Sequence, residues 1–237
     1  SNKNSLPTPV WLPALTSSYR STLADVKILK RQSPLPETTN ELCAVAQSLG
    51  VPESEIYLGE NATESKVKSL NKDDNLKNYR YIHFATHGLL SGELKFQAEP
   101  ALILTPPDKA TKHDDGLLTA SEVTNLKLNA EWVILSACNT AAGEKLGAEP
   151  FSGLARAFFY AGAKALLVSH WAVDSEATVK LITKSFDIIK QNPKLGRAEA
   201  LRQSMVNLMN DDTYSWNPHP STWAPFVVVG EGSEINR

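Results

Sequence analysis

Cysteine is nearly absent from this chain: among 237 residues only Cys43 and Cys138 carry thiols. Two are too few for a disulfide framework and suit a reducing compartment, so a cytoplasmic location is expected. An excess of charge is also missing, because 24 basic residues face 26 acidic ones for a formal net charge of -2. That balance gives no electrostatic ground for a nucleic-acid or membrane partner, and neither is expected to touch this domain. No apolar run approaches the roughly 18–20 residues that span a bilayer. The first residues, Ser1-Asn-Lys-Asn-Ser-Leu-Pro7, hold no hydrophobic signal core and no initiator Met. The expectation is therefore a piece of a longer protein with a partner region upstream. G-x-S-x-G elbows, Walker loops and G-x-G-x-x-G turns are absent, which removes the usual serine-hydrolase and nucleotide-binding signatures.

What is present is an apolar content of 42%, enough for one substantial core. Apolar, β-branched runs alternate with helical stretches. Strand candidates are Asp25–Lys30, Glu55–Leu58, residues 80–86, Pro100–Thr105, residues 132–137, Ala163–Ser169 and Phe226–Val229. Thr38 or Thr39 is placed to cap a helix that ends near Gly50, and Thr119 with Glu122 forms a capping-box pattern. Asp174 or Ser175 is placed to cap a helix running to about residue 190, and Ala198–Met209 reads as another. The middle strands are nearly all apolar rather than alternating. This predicts an α/β fold with a mostly parallel central sheet covered by helices on both faces.

In such open sheets, sites form at the carboxyl ends of the strands. Two strands end on reactive residues: Tyr81-Ile-His-Phe-Ala-Thr-His-Gly88 on His87, and Trp132-Val-Ile-Leu-Ser-Ala-Cys-Asn-Thr140 on Cys138. A thiol attacks carbonyls as thiolate, and a neighbouring imidazole serves as its base or ion-pair partner. The amides of Gly88 and Cys138 are candidate oxyanion donors. The corresponding reaction is acyl transfer, most simply peptide hydrolysis. The bland alternative is two buried, structurally satisfied residues. His83 and His87 have H-x-x-x-H spacing, but residues four apart in a strand lie roughly 13 Å apart. His83 is therefore assigned to the core, and no metal or other cofactor is expected. Cys43 reads as a small buried hydrophobe. Residues His113, Asp114 and Asp115 read as a charged loop, and the lysines between 66 and 77 as a solvated face.

Several ordered blocks carry a resemblance. They are His83-Phe-Ala-Thr-His-Gly88, Gly116-Leu-Leu-Thr-Ala120, Val133-Ile-Leu-Ser-Ala-Cys-Asn-Thr140 and Leu154-Ala-Arg-Ala-Phe-Phe-Tyr-Ala-Gly-Ala163. Ser169-His-Trp-Ala-Val-Asp174, Ala198-Glu-Ala-Leu-Arg202 and Trp223-Ala-Pro-Phe226 follow. Together they resemble the CHAT domain, a family of caspase-like cysteine proteases related to separase and often fused to TPR repeats. The resemblance implies a caspase-like three-layer sandwich over residues 35–232, with residues 1–34 as an N-terminal arm or linker. It implies catalytic His87 and Cys138, a protein substrate, no cofactor, and regulation by an upstream or partner region of TPR type. It also implies an S1 pocket in which Asp174, beside Trp171, receives a basic (Arg or Lys) P1 side chain. Asp174 reads equally as the N-cap of the following helix. The alternative to an enzyme is a latent or non-catalytic caspase-like scaffold.

Overall fold

The computed structural model describes residues 23–94, 97–136, 153–171 and 174–233. The chain runs through α1 (Val26–Leu29), α2 (Glu37–Leu49), α3 (Glu64–Lys72), β1 (Tyr81–Phe84) and β2 (Gly88–Leu89). It continues with β3 (Ala101–Ile103), β4 (Leu117–Thr119), α4 (Ala120–Val123), β5 (Trp132–Leu135) and α5 (Gly153–Tyr160). The last elements are β6 (Ala165–Ser169), α6 (Ser175–Gln191), α7 (Arg197–Met209), α8 (Pro220–Trp223) and β7 (Phe226–Gly230).

The central sheet has the order β1-β5-β6-β7. The pairs β1–β5 and β5–β6 are parallel, and β7 closes the sheet antiparallel to β6. Residues of β5 are fully buried, so both faces of that strand must be covered. Val133 and Leu135 pack with Leu154 and Phe158 of α5 on one face. Trp132 and Ile134 pack with Val45 of α2 and with Leu181 and Phe186 of α6 on the other. The period-two alternation thus divides one strand between two cores, and helices lie on both sides of a mainly parallel sheet.

A second, antiparallel sheet, β2-β3-β4, sits beside the first. The segment around Pro100–Thr105 therefore forms a strand, but of this small sheet. Its Ala101 and Ile103 face Leu29 and Leu117 in a satellite core.

Local chemistry accounts for the helix ends and for several departures from expectation. Asp25–Lys30 is a single helical turn rather than a strand, because the Asp25 carboxylate accepts from the Lys27 N–H and caps it. Glu55–Leu58 is not a strand either: Glu53–Glu55 forms a 3-10 turn that leads into extended backbone at Ile56 and Leu58. Helix α2 begins before Thr38, whose hydroxyl donates to the Leu35 carbonyl, and ends at Gly50 with φ 70°. Cys43 is exposed, not buried. The buried face of α2 carries Glu41, Val45 and Ser48, and Cys43 lies two residues, or about 200°, around the helix from Glu41. The Thr119–Glu122 capping box is formed, as is the Asp174 cap of α6.

Gly162 turns the chain from α5 into β6 at φ 108°, and a Cβ there would meet the Leu128 carbonyl oxygen at 2.3 Å. Gly162→Ala is expected to destabilise the domain by about 1–3 kcal/mol, read as a lower urea midpoint with an unchanged m-value.

Candidate active site

The parallel register sets the site before any side chain is considered. Phe84 lies beside Leu135, and the β5–β6 register of Ile134 with Leu167 brings Val168 to the same rung by one further step. His87, Cys138 and Trp171 each follow that rung by three residues. The strand order puts the Cys138 strand between the other two. Cys138 itself lies outside the described residues, as do the Gly143 and Gly147 that follow it.

His87 is held from two sides. Its carbonyl accepts from the Ile103 N–H at 2.9 Å, and the neighbouring Thr86 hydroxyl donates to the Ile103 carbonyl. Its ring Nε2 lies 2.7 Å from the carbonyl oxygen of Ser33, in the link between α1 and α2. A carbonyl only accepts, so Nε2 carries a hydrogen, and of the two neutral tautomers the one this contact selects has its bare nitrogen at Nδ1. The His87–Ile103 pair exchanges a hydrogen bond, which makes the adjacent Gly88–Leu102 pair the non-bonded kind of an antiparallel ladder. The Gly88 N–H therefore points away from β3.

Beyond β6, the His170 N–H donates to the Pro225 carbonyl, and Trp171 is 41% exposed, which removes it from the core. Asp174 is exposed. Its Oδ1 accepts from the Ala177 N–H at 2.9 Å as the α6 N-cap, and Oδ2 has no partner among the described residues. The cap thus occupies one oxygen.

A cavity of about 1520 Å³ opens along the outer side of β1, lined by Leu29, Ser33, Tyr57, Ile82, His83 and His87 among others. Among the described candidate residues it meets His87 and neither Trp171 nor Asp174, which lie beyond β6, across β5.

Four acidic residues brace the loop that supports this edge. Glu64, fully buried, accepts from the N–H groups of Asp115 (2.8 Å) and Gly116 (3.0 Å), and its other oxygen meets Lys68 Nζ at 2.5 Å. Lys68 also binds Glu122 at 2.9 Å and the His113 carbonyl at 2.8 Å. Asp114 accepts from the Ser65 N–H, and Asp115 from the N–H groups of Ala24 and Leu117. Asp114 and Asp115 are therefore buried caps rather than a charged surface loop, and Lys68 is not part of a solvated face. Burial raises the Glu64 carboxyl to about 7 against the bond from Lys68. Burial acts on Glu122 in the same sense, but the bonds from Lys68 and Thr119 outweigh it and hold that carboxyl low. Among the described residues, no group of three or more His, Cys, Asp or Glu side chains is arranged to hold a metal ion. No described helix is long and apolar enough to cross a membrane.

The Ser33 carbonyl and the Glu64 brace were not read from the sequence, since neither a backbone oxygen nor a lone glutamate has a local signature. The capping chemistry of Asp174 had one and was anticipated.

Comparison with known proteins places these observations in a family. The family model described as the CHAT domain matches residues 15–231. Tetratricopeptide repeat protein 28 of Mus musculus and that of Homo sapiens are each 27% identical over 237 residues, covering 86% of this chain. The chain spans only 9% of the length of those relatives. Among solved structures, the Arg-specific cysteine proteinase gingipain R superposes with a TM-score of 0.53 at 12% identity. The match covers 84% of this chain and 43% of that one. At that identity the likeness shows the fold, which is that of a caspase-like cysteine proteinase.

Proposed function

The chain belongs to the CHAT domain family, and from that premise we propose that it is a cysteine endopeptidase with Cys138 as nucleophile and His87 as base. The observation that carries the reading is the shared rung: His87 and Cys138 follow adjacent parallel strands at equal offsets, and the Ser33 carbonyl occupies His87 Nε2, which leaves Nδ1 as the nitrogen for the thiol proton. Nδ1 takes the thiol proton, the thiolate adds to the scissile carbonyl, and the same proton is returned to the leaving amine. The amides of Gly88 and Cys138 serve as oxyanion donors, and the ladder parity of Gly88 supports its part. Water then hydrolyses the thioester, with His87 again as base.

Asp174, with Trp171 as a wall, selects Arg or Lys at P1. The Arg specificity of the solved fold relative agrees with this choice. The test exploits the double role of Asp174. Asparagine caps helices as well as aspartate does. Asp174→Asn is therefore expected to leave the melting temperature nearly unchanged. It should lower kcat/KM on Arg- and Lys-ended reporters by roughly 10- to 100-fold, the scale of one hydrogen bond to a charged group. An unchanged kcat/KM, or turnover of Asp-ended reporters instead, sinks the S1 assignment alone.

A second reading is a latent module, active only when an upstream or partner region of TPR type acts on it. It is supported by the relatives, tetratricopeptide repeat proteins of which this domain is a small part. Labelling of Cys138 by a peptide warhead only in the presence of the full-length chain supports latency. Labelling of the isolated domain argues against it.

A further inference from the structure

A buried polar chain runs behind the candidate dyad and takes no part in the chemistry above. His83 of β1 projects toward α2, on the same face of the sheet as Trp132 and Ile134. Its Nε2 lies 2.7 Å from Glu41 Oε1 of α2 and 3.0 Å from the hydroxyl of Ser136. Ser136 in turn reaches back to β1: its N–H donates to the Phe84 carbonyl at 3.1 Å, and its hydroxyl lies 3.4 Å from the same oxygen. Glu41 is 2% exposed, Ser136 6%, and the His83 side chain 9%.

This arrangement is costly. One ring N–H points in one direction, and here that direction is met by Ser136. Glu41 Oε1 is near enough for an ion pair, yet it has no hydrogen-bond partner among the described residues, and neither has His83 Nδ1. Each such atom gives up its bonds to water on folding and gains no hydrogen bond in exchange. Apolar residues of similar volume are often as stable as a buried polar pair, or more so. Stability alone therefore does not account for a glutamate and a histidine here.

Position does. His83 precedes His87 by four residues, and Ser136 precedes Cys138 by two. The polar chain thus ties the carboxyl ends of both dyad strands to one helix. Resting on the peptidase reading, we propose that Glu41, His83 and Ser136 form a buried clasp that sets the spacing of the strand ends carrying His87 and Cys138. His83 and Ser136 are then positioning residues for the dyad, not catalytic ones.

The experiment follows the pH dependence of Cys138 alkylation by iodoacetamide in the whole chain, mapped by mass spectrometry. Exposed Cys43 is the internal reference. The variants are Ser136→Ala, Ser136→Thr and the double change Glu41→Leu with His83→Phe. The double variant is expected to melt no lower than the parent, yet to alkylate Cys138 about 10- to 100-fold more slowly, the scale of a misplaced reacting group. Ser136→Ala should slow the reaction in the same way, and Ser136→Thr, which keeps the hydroxyl, should restore it. If the double variant fails to fold, the Ser136 pair decides by itself. Rates and pH profiles equal to the parent's in Ser136→Ala and in any folded double variant overturn the clasp, whatever the parent's own profile. A parent whose Cys138 titrates as an ordinary thiol near 8.5 instead sinks the peptidase reading.

Discussion

Cys138→Ala is expected to abolish cleavage of Arg- and Lys-ended reporter peptides, and His87→Ala to lower it at least about 10³-fold. In the proposed mechanism the nucleophile and its base act as one unit, so losing either removes most of the covalent route. The two variants differ in what remains. Without Cys138, a peptide warhead finds only Cys43, which is exposed on α2 and far from the dyad in sequence. Without His87, Cys138 is still labelled, but slowly and with the pH dependence of an unassisted thiol. Peptide mapping after warhead treatment therefore separates loss of the nucleophile from loss of its activation. Cleavage that persists in Cys138→Ala would end the peptidase assignment.

Glu64→Ala is the substitution expected to cost the most stability, on the order of 3 kcal/mol. It removes the Glu64 acceptor from the Asp115 N–H, weakens the hold on Gly116 and takes one of two carboxylates from Lys68. Against a typical total of about 5–15 kcal/mol, that loss is large. The effect should reach the site, because Asp115 and Gly116 lead into β4, β4 pairs with β3, and β3 holds the His87 carbonyl. Activity is expected to fall at temperatures where the global fold survives.

The same carboxylate gives a pH test with a defined sign. Burial raises the folded Glu64 to about 7, above the ordinary value of 4.5. A raised acid binds its proton more tightly when folded. Its stabilising contribution is therefore complete below about 4.5 and is lost as pH rises through about 7. Glu64→Gln cannot titrate. The melting temperature of the parent minus that of Glu64→Gln should fall as pH is raised from 5 to 8. A flat difference would mean that Lys68 keeps Glu64 ionised throughout.

The amino-acid sequence by itself determined the elements whose chemistry is local. The strands at Tyr81–Phe84 and Trp132–Leu135 announce themselves by largely apolar runs, although only the second is fully buried and the first, at the end of the sheet and interrupted by His83, is half-buried; the caps at Thr119 and Asp174 do so by side chains placed to accept from the helix N–H groups. Family membership was also legible, because several ordered blocks are far more specific than any one of them. The same propensities misread Asp25–Lys30, where a single Asp cap turned a β-like run into a helical turn. They misread Cys43 too, where the helix phase, not the residue type, decided exposure. What only the tertiary structure decided are relations between distant residues: the level rung of Phe84 and Leu135, the Ser33 carbonyl at His87, and the Glu41–His83–Ser136 chain. None has a sequence signature, since each arises when separate segments bring one polar atom within about 3 Å of another, and that distance is set by packing.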